Sequence, residues 1–271
     1  TKMNGGSVTD NESELGGGIR SEVKVPFLSA YGTIEVNGGL IARNTATYVG
    51  NYGGGGGVYL QSVGYMNGGI IEENYASGGE GGGVFVGAHG QRSYHFTMNN
   101  VVIRNNIAYG NGGGIAGEYF PAADGDLYIV VKSGLITGNV ALNGNGGGIW
   151  YGDYAQLYLY DCTITGNAAP GGCGGGVFIS ADVGKVVFGG TVIITDNTAH
   201  MGSAYKVSNI FAEASSKTHF EDEFSVVSYV SAKPLNADSK IGVSVGKLDP
   251  SNKLNPDDKF PSEIADCFFS D

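Results

Sequence analysis

Hydrophobic and polar positions along most of this chain alternate over short runs that glycine and asparagine interrupt, and none follows the helical period. Val84-Phe85-Val86, Leu127-Tyr128-Ile129-Val130-Val131 and Leu157-Tyr158-Leu159-Tyr160 are typical. Such β-branched, aliphatic and aromatic runs between turn formers predict short strands. Two boxes punctuate them. An Ile-x-x-Asn-x-Ala box falls at residues 41–46, 71–76, 103–108, 136–141, 164–169 and 194–199, with a degenerate copy around Asn11. A Gly-Gly-Gly-aliphatic box begins at Gly16, Gly55, Gly81, Gly112, Gly146 and Gly174, with a weak last copy at Gly202-Ser203-Ala204-Tyr205.

Asn11, Asn44, Asn74, Asn106, Asn139, Asn167 and Asn197 serve as register marks, with gaps of 33, 30, 32, 33, 28 and 30 residues. Self-similarity at this period is the signature of a repeat architecture. Three short strands and three turns use about this many residues per coil. The prediction is an all-β fold: a right-handed, single-stranded parallel β-helix of about seven coils over residues 1–205, parallel crossovers being almost always right-handed. At about 4.8 Å per coil the rod is roughly 30 Å long. From the Asn to the last Gly of the box, four repeats run 9, 8, 9 and 9 residues, whereas the return path varies between 17 and 26. One side of the coil is held constant and the other absorbs insertions, the longest at 87–95 and 117–126; insertions in a solenoid map to loops on one face.

Each box has a mechanical cause. Glycine supplies positive φ and close backbone approach at a tight corner, and an Asn at one corner of every coil can stack into a hydrogen-bonded amide ladder. The Ala two residues later is small because it packs inside a bend. From residue 206 onward only Gly242 and Gly246 remain of 49 glycines, and four of the seven prolines appear. Residues 226–230 and 241–245 read as strands, and 206–271 is expected to be a small C-terminal β cap, or a joint to a following module, covering the open end of the coil.

Charge and cysteine narrow the function. A formal net charge of −11 speaks against nucleic acid as a partner, since phosphate binding needs a basic footprint. No apolar run is long enough to span a bilayer, so direct membrane insertion is not expected. The chain reads as a mature or excised piece, and a monomer within a larger chain is expected. Three cysteines (Cys162, Cys173 and Cys267) do not form a spaced framework; burial as small hydrophobes is preferred over a Cys162–Cys173 disulfide.

The residue after each box aliphatic is Arg20, Tyr59, Phe85, Ala116, Trp150 and Phe178, with Tyr205 in the weak copy. In a parallel β-helix these positions stack, so aromatics fill one column. Either the column is exposed, making Tyr59, Phe85, Trp150 and Phe178 a ligand-binding ladder suited to sugar rings or protein contacts, or it is a buried stack. The loops that follow carry Asp124, Asp126, Asp153 and Asp182, with Glu118 beside them. Paired acids on adjacent coils can serve acid–base catalysis or bind Ca²⁺; solvated turn acids are the plainer reading. Asp124, Asp153 and Asp182 are weak catalytic candidates. His89, Arg92 and His95 share one insertion and read as loop polarity rather than a metal site. No cofactor or resident metal is expected, because the motifs for nucleophile elbows, zinc proteases and phosphate loops are missing from the sequence.

The paired boxes, Gly-Gly-x-aliphatic and aliphatic-x-x-Asn, resemble the repeats of polymorphic outer membrane proteins and related adhesin-like β-helix repeats of bacterial surface proteins. That family's boxes are usually GGA[ILV] and FxxN, so Gly-Gly-Gly-[Ile/Val] and Ile-x-x-Asn depart in detail. The segment 233–243 also looks like sequence that follows such coils in large surface proteins. The resemblance covers roughly residues 1–245. It implies an extracellular, cell-surface-attached, non-enzymatic adhesin that binds a host glycan or surface protein or spaces other modules; a polysaccharide lyase or glycoside hydrolase is the alternative.

Overall fold

The computed structural model describes residues 1–22, 33–50, 53–88, 94–119, 127–152, 155–180, 185–201, 204–212, 238–245 and 268–270. These are strands and turns, and no helix occurs among them. The fold is the predicted parallel β-helix. One coil runs through Val58–Gln61, Val63–Met66, Ile70–Glu72 and Tyr75–Ala76. Each segment pairs in parallel with its counterpart one repeat away: Val84 meets Val58 and Ile115, Ile71 meets Ile41 and Ile103, and Tyr75 meets Thr45 and Ile107. About six turns are built rather than seven, because the seven register asparagines bound only six complete intervals.

The interior is filled by stacked aliphatics. Box isoleucines Ile41, Ile71, Ile103, Ile136, Ile164 and Ile194 line one wall; Val58, Val84, Ile115, Ile149 and Val177 line another, all 0–2 % exposed. The alanines of the Asn box are fully buried at the narrow bend.

At that bend the asparagines form a continuous ladder. Asn44 Nδ2 donates to Asn74 Oδ1, Asn74 to Asn106, Asn106 to Asn139, Asn139 to Asn167 and Asn167 to Asn197, each at 2.9 Å. Every acceptor oxygen also takes the backbone N–H of the preceding rung at 3.0 Å. The second Nδ2 proton goes to main-chain carbonyls, as from Asn106 to Ile71 O and Arg104 O. The buried amides are therefore satisfied, and the rung-to-rung bonds form only with the neighbouring coil in correct register. The glycine box packs directly onto this ladder. A Cβ on Gly148 would come within 3.1 Å of Asn167 Nδ2, and one on Gly147 would strike the backbone of Ala168.

The residue just before each ladder Asn lies in the left-handed region: Asp10, Arg43, Glu73, Asn105, Gly138, Gly166 and Asp196 have φ of 54–66°. Five of the seven are not glycine, so this corner stores backbone strain. Exposed partners gather there, with Arg43 gripping Asp10 at 2.8 and 2.9 Å and lowering the Asp10 carboxyl below its usual range by hydrogen bonding.

The C-terminal side departs from the repeat reading. Thr198–Met201 and Ala204–Val207 form an antiparallel hairpin, with His200 facing Tyr205. Tyr205 thus leaves the column assigned to it, and the position is taken by Phe211, which pairs with Phe178. Asn209, only 12 residues after Asn197, supplies the final rung at 3.0 Å. Ile210–Ala212, Lys240–Val245 and Phe268–Ser270 continue the parallel sheet. The strand read at 241–245 is present; that at 226–230 lies outside the described residues.

Asn106→Ala removes a buried rung and leaves the Asn74 side-chain and backbone donors unmatched; unfolding in urea should show a loss of at least about 3 kcal/mol. Glu73→Gly relieves about 1–2 kcal/mol of left-handed strain against an entropy cost of about 0.5–1 kcal/mol. It should raise stability slightly in the same assay.

Candidate functional site

The box strands point their aliphatic residues inward, so the next residue faces away from the coil interior. Val58 and Leu60, Val84 and Val86, and Ile149 and Tyr151 all belong to the main core, while Tyr59, Phe85 and Ala116 form a separate cluster with Leu15 and Trp150 packed against it. The aromatic column therefore does lie on the outer face. It is not an exposed ladder, however. Tyr59, Phe85 and Phe178 are 2, 0 and 5 % exposed, and Trp150 is partly buried. Their rings stack on one another, Tyr59 on Phe85 at 5.3 Å and 9°, Phe178 on Phe211 at 5.6 Å and 12°. Arg20 closes the first end by placing its guanidinium 5.9 Å from the Tyr59 ring centre. Burial, with Glu22 nearby, raises the Tyr59 hydroxyl well above its ordinary value. These rings form a second hydrophobic layer outside the coil.

Ala116 interrupts the layer, in register between Phe85 and Trp150. In the flanking coils the residue two positions on is glycine, and each ring leans over it: a Cβ on Gly87 would lie 2.8 Å from Phe85 Cε1, and one on Gly152 would lie 2.8 Å from Trp150 Cη2. In the Ala116 coil the order is inverted, and Glu118 stands opposite Gly87. Small residue and large have exchanged places.

A second acid comes from the column that precedes each glycine triplet. Gly55, Gly81, Gly112 and Gly146 donate their N–H groups to the carbonyls of Glu80, Asn111, Asn145 and Cys173 in turn. These positions are linked by side chains, with Cys173 N donating to Asn145 Oδ1, Asn145 N to Asn111 Oδ1, and Asn111 Nδ2 to Glu80 Oε1 at 2.6 Å. Glu80 is 5 % exposed, and its Oε2 is buried without a hydrogen-bond donor. Burial first, and the Glu118 charge second, push its carboxyl well above the usual range, opposed by the Asn111 bond. Sequence reading passed over Glu80; its signal was a single acid in a column otherwise occupied by Leu15, Gly54, Asn111, Asn145 and Cys173.

The catalytic candidates Asp124, Asp153 and Asp182 lie outside the described residues, as do Asp126, His89, Arg92 and Cys267. Cys162 and Cys173 do not form a disulfide with one another; Cys162 is buried in the core, which pushes its thiol up to about 12. No group of three or more His, Cys, Asp and Glu side chains suited to a metal occurs among the described residues.

Outward aromatics that do meet solvent lie on the adjoining strands. His95 sits in Tyr94–Met98 rather than in the loop, and stacks on Tyr128 at 4.5 Å and 5°. Tyr128 tilts towards Tyr158 at 6.4 Å, and Tyr158 towards Tyr160 at 6.3 Å. All four are half-buried. Tyr158 donates its hydroxyl hydrogen to Gln156 Oε1 at 2.7 Å, and Tyr65 is 41 % exposed on the same sheet.

Comparison with protein-family models, curated proteins and solved structures finds no match to this chain.

Phe85→Ala tests the outer layer. Removing a fully buried ring stacked on Tyr59 should cost about 3–5 kcal/mol in chemical denaturation, where a surface ring would cost almost nothing.

Proposed function

We propose that the chain is a non-enzymatic, adhesin-like β-helix domain of a bacterial cell-surface protein, displayed outside the cell. It meets a host glycan or surface protein along its variable-loop edge, or spaces other modules of its parent. The observation that carries this reading is the half-exposed strip of His95, Tyr128, Tyr158 and Tyr160, which begins where the loops of variable length end. The insertion at 87–95 leads into His95, and that at 117–126 leads into Tyr128. Residues 153–154 precede Gln156 and Tyr158 in the sequence.

This moves the ligand surface away from Tyr59, Phe85, Trp150 and Phe178, of which Tyr59 and Phe85 stack on one another, Phe178 stacks on Phe211 and Trp150 is partly buried. It also changes the expected chemistry. Because His95 and Tyr128 are stacked face to face, ring edges, phenolic hydroxyls and the imidazole meet the ligand. Such a surface suits hydrogen bonding to saccharide hydroxyls or to a polar protein surface. The repeating residues support a scaffold role in a second way: the Asn, Gly and Ala of the boxes are occupied in the coil itself.

Binding of the purified domain to immobilised glycans and host surface proteins checks this. Tyr128→Ala and Tyr158→Ala should each weaken binding about tenfold, or about 1.4 kcal/mol, with the circular dichroism unchanged. Polysaccharide cleavage abolished by Asp153→Asn or Asp182→Asn would instead establish the enzyme.

A further inference from the structure

An Asn-Gly-Gly sequence stands at one corner of three successive coils, at residues 4–6, 37–39 and 67–69, outside the proposed ligand surface. The next two coils carry Asn99-Asn100 and Lys132-Ser133 there instead. Gly5, Gly38 and Gly68 have φ of 150, 143 and 127°, which fixes glycine after each asparagine. The corner is open: a Cβ on Gly5 or Gly38 would meet nothing within 4 Å, and one on Gly68 only the Asn37 carbonyl oxygen at 3.8 Å. The three asparagines form an outer row. Asn37 Nδ2 donates to Asn4 Oδ1 at 3.0 Å and to Glu35 Oε1 at 2.9 Å, and Asn67 Nδ2 donates to Asn37 Oδ1 at 2.9 Å. The Asn37 side chain is thus half-buried and held by three bonds, whereas those of Asn4 and Asn67 are exposed and held by one each.

The other Asn-Gly pairs are Asn111-Gly112, Asn143-Gly144 and Asn145-Gly146. Gly112 and Gly146 are buried and donate their N–H groups to the carbonyls of Asn145 and Cys173 at 2.9 and 3.0 Å. Gly144 is wedged between coils, where an added Cβ would lie 2.5 Å from the Gly110 backbone and from Asn111 Oδ1. The N–H groups of Gly5, Gly38 and Gly68 donate to nothing among the described residues.

We propose that this corner is a self-modifying site, deamidating at Asn67 and Asn4 ahead of Asn37. The Gly68 nitrogen attacks Asn67 Cγ, and the new N–C bond closes a succinimide ring. Nδ2 leaves as ammonia with the proton that the glycine nitrogen gives up. Water then adds to one ring carbonyl and opens the ring to aspartate or isoaspartate, the latter with its main chain rerouted through the side-chain carbon. Water is the sole co-reactant. Glycine brings no Cβ to hinder the attack, and its dihedrals are free to follow ring closure. The unbonded N–H has no partner to leave, while Gly112 and Gly146 must first break a bond between coils, which ties their reaction to opening of the fold. The product exchanges an amide donor of the row for a negative charge. Its extent records the time that a folded chain has spent in water.

Peptide mapping by mass spectrometry, on folded protein incubated at mildly alkaline pH, reads each pair separately. The Asn67 and Asn4 peptides should turn from amide to acid. The Asn37 peptide should follow about tenfold more slowly, since two further hydrogen bonds restrain its side chain. Those of Asn111, Asn143 and Asn145 should keep their amides over the same period. Glu35→Ala removes one acceptor from Asn37 and should speed that site alone. In urea all six pairs should react at similar rates, which separates the effect of the fold from that of the sequence. An Asn67 peptide that keeps its amide while the unfolded chain reacts would overturn the proposal. So would an Asn67 rate no greater than those of Asn111, Asn143 and Asn145, or an Asn37 rate that matches Asn67 and ignores Glu35→Ala.

Discussion

The buried amide ladder is the constraint on which the coil depends. An Asn side chain carries two donors and an acceptor, and inside a protein each must be matched. Here they are matched by the same residue one coil away, by its backbone N–H and by two nearby carbonyls. That solution exists only at strand spacing and in one register, so the ladder fixes both the pitch of the helix and the phase of each turn. The glycine box answers it from the opposite wall, where a single added carbon would collide with the ladder or with the strand beyond it. The isoleucines supply most of the driving force, at about 25 cal/mol per Å² buried; the amides decide where the burial occurs.

A second consequence lies outside the coil. Once the box aliphatics point inward, the residue between them must point outward, and in most coils it is aromatic. Tyr59, Phe85 and Phe178 are covered and stacked and Trp150 is partly buried, so the β-helix has two apolar layers separated by one sheet. On the proposed reading, recognition falls to the sides, where repeat length varies and where tyrosines and a histidine sit half-buried. The interior amides repeat from coil to coil, whereas the outer column varies: Arg20 holds the ring position in the first coil and Ala116 in the middle one.

Much of this fold was legible because its period is written in two independent boxes, and each box residue has a local cause. The face of the aromatic column was left open, although strand alternation between Val58, Tyr59 and Leu60 leant outward. Its burial was not legible, because alternation tells which way a side chain points and says nothing of what lies above it. Tyr205 was misplaced because Gly202-Ser203-Ala204 imitates a glycine box, while the last rung is made by Asn209 after a hairpin that no periodicity announces. His95 looked like a loop residue at the end of the 87–95 insertion, yet its strand begins one residue earlier, at Tyr94, and the ring is held by Tyr128. Glu80 was hidden by its glycine neighbours; only comparison down its own column sets it apart.

Side-chain amide hydrogen exchange tests the central claim most directly. The carboxamide protons of Asn74, Asn106, Asn139 and Asn167 should exchange only through global unfolding, with protection matching the full unfolding free energy. Asn67, whose amide donates to Asn37 Oδ1 at 2.9 Å in an exposed row on another corner, provides the internal comparison and should exchange far faster. If the four buried amides exchanged as quickly as Asn67, the ladder would not be what holds the coils in register.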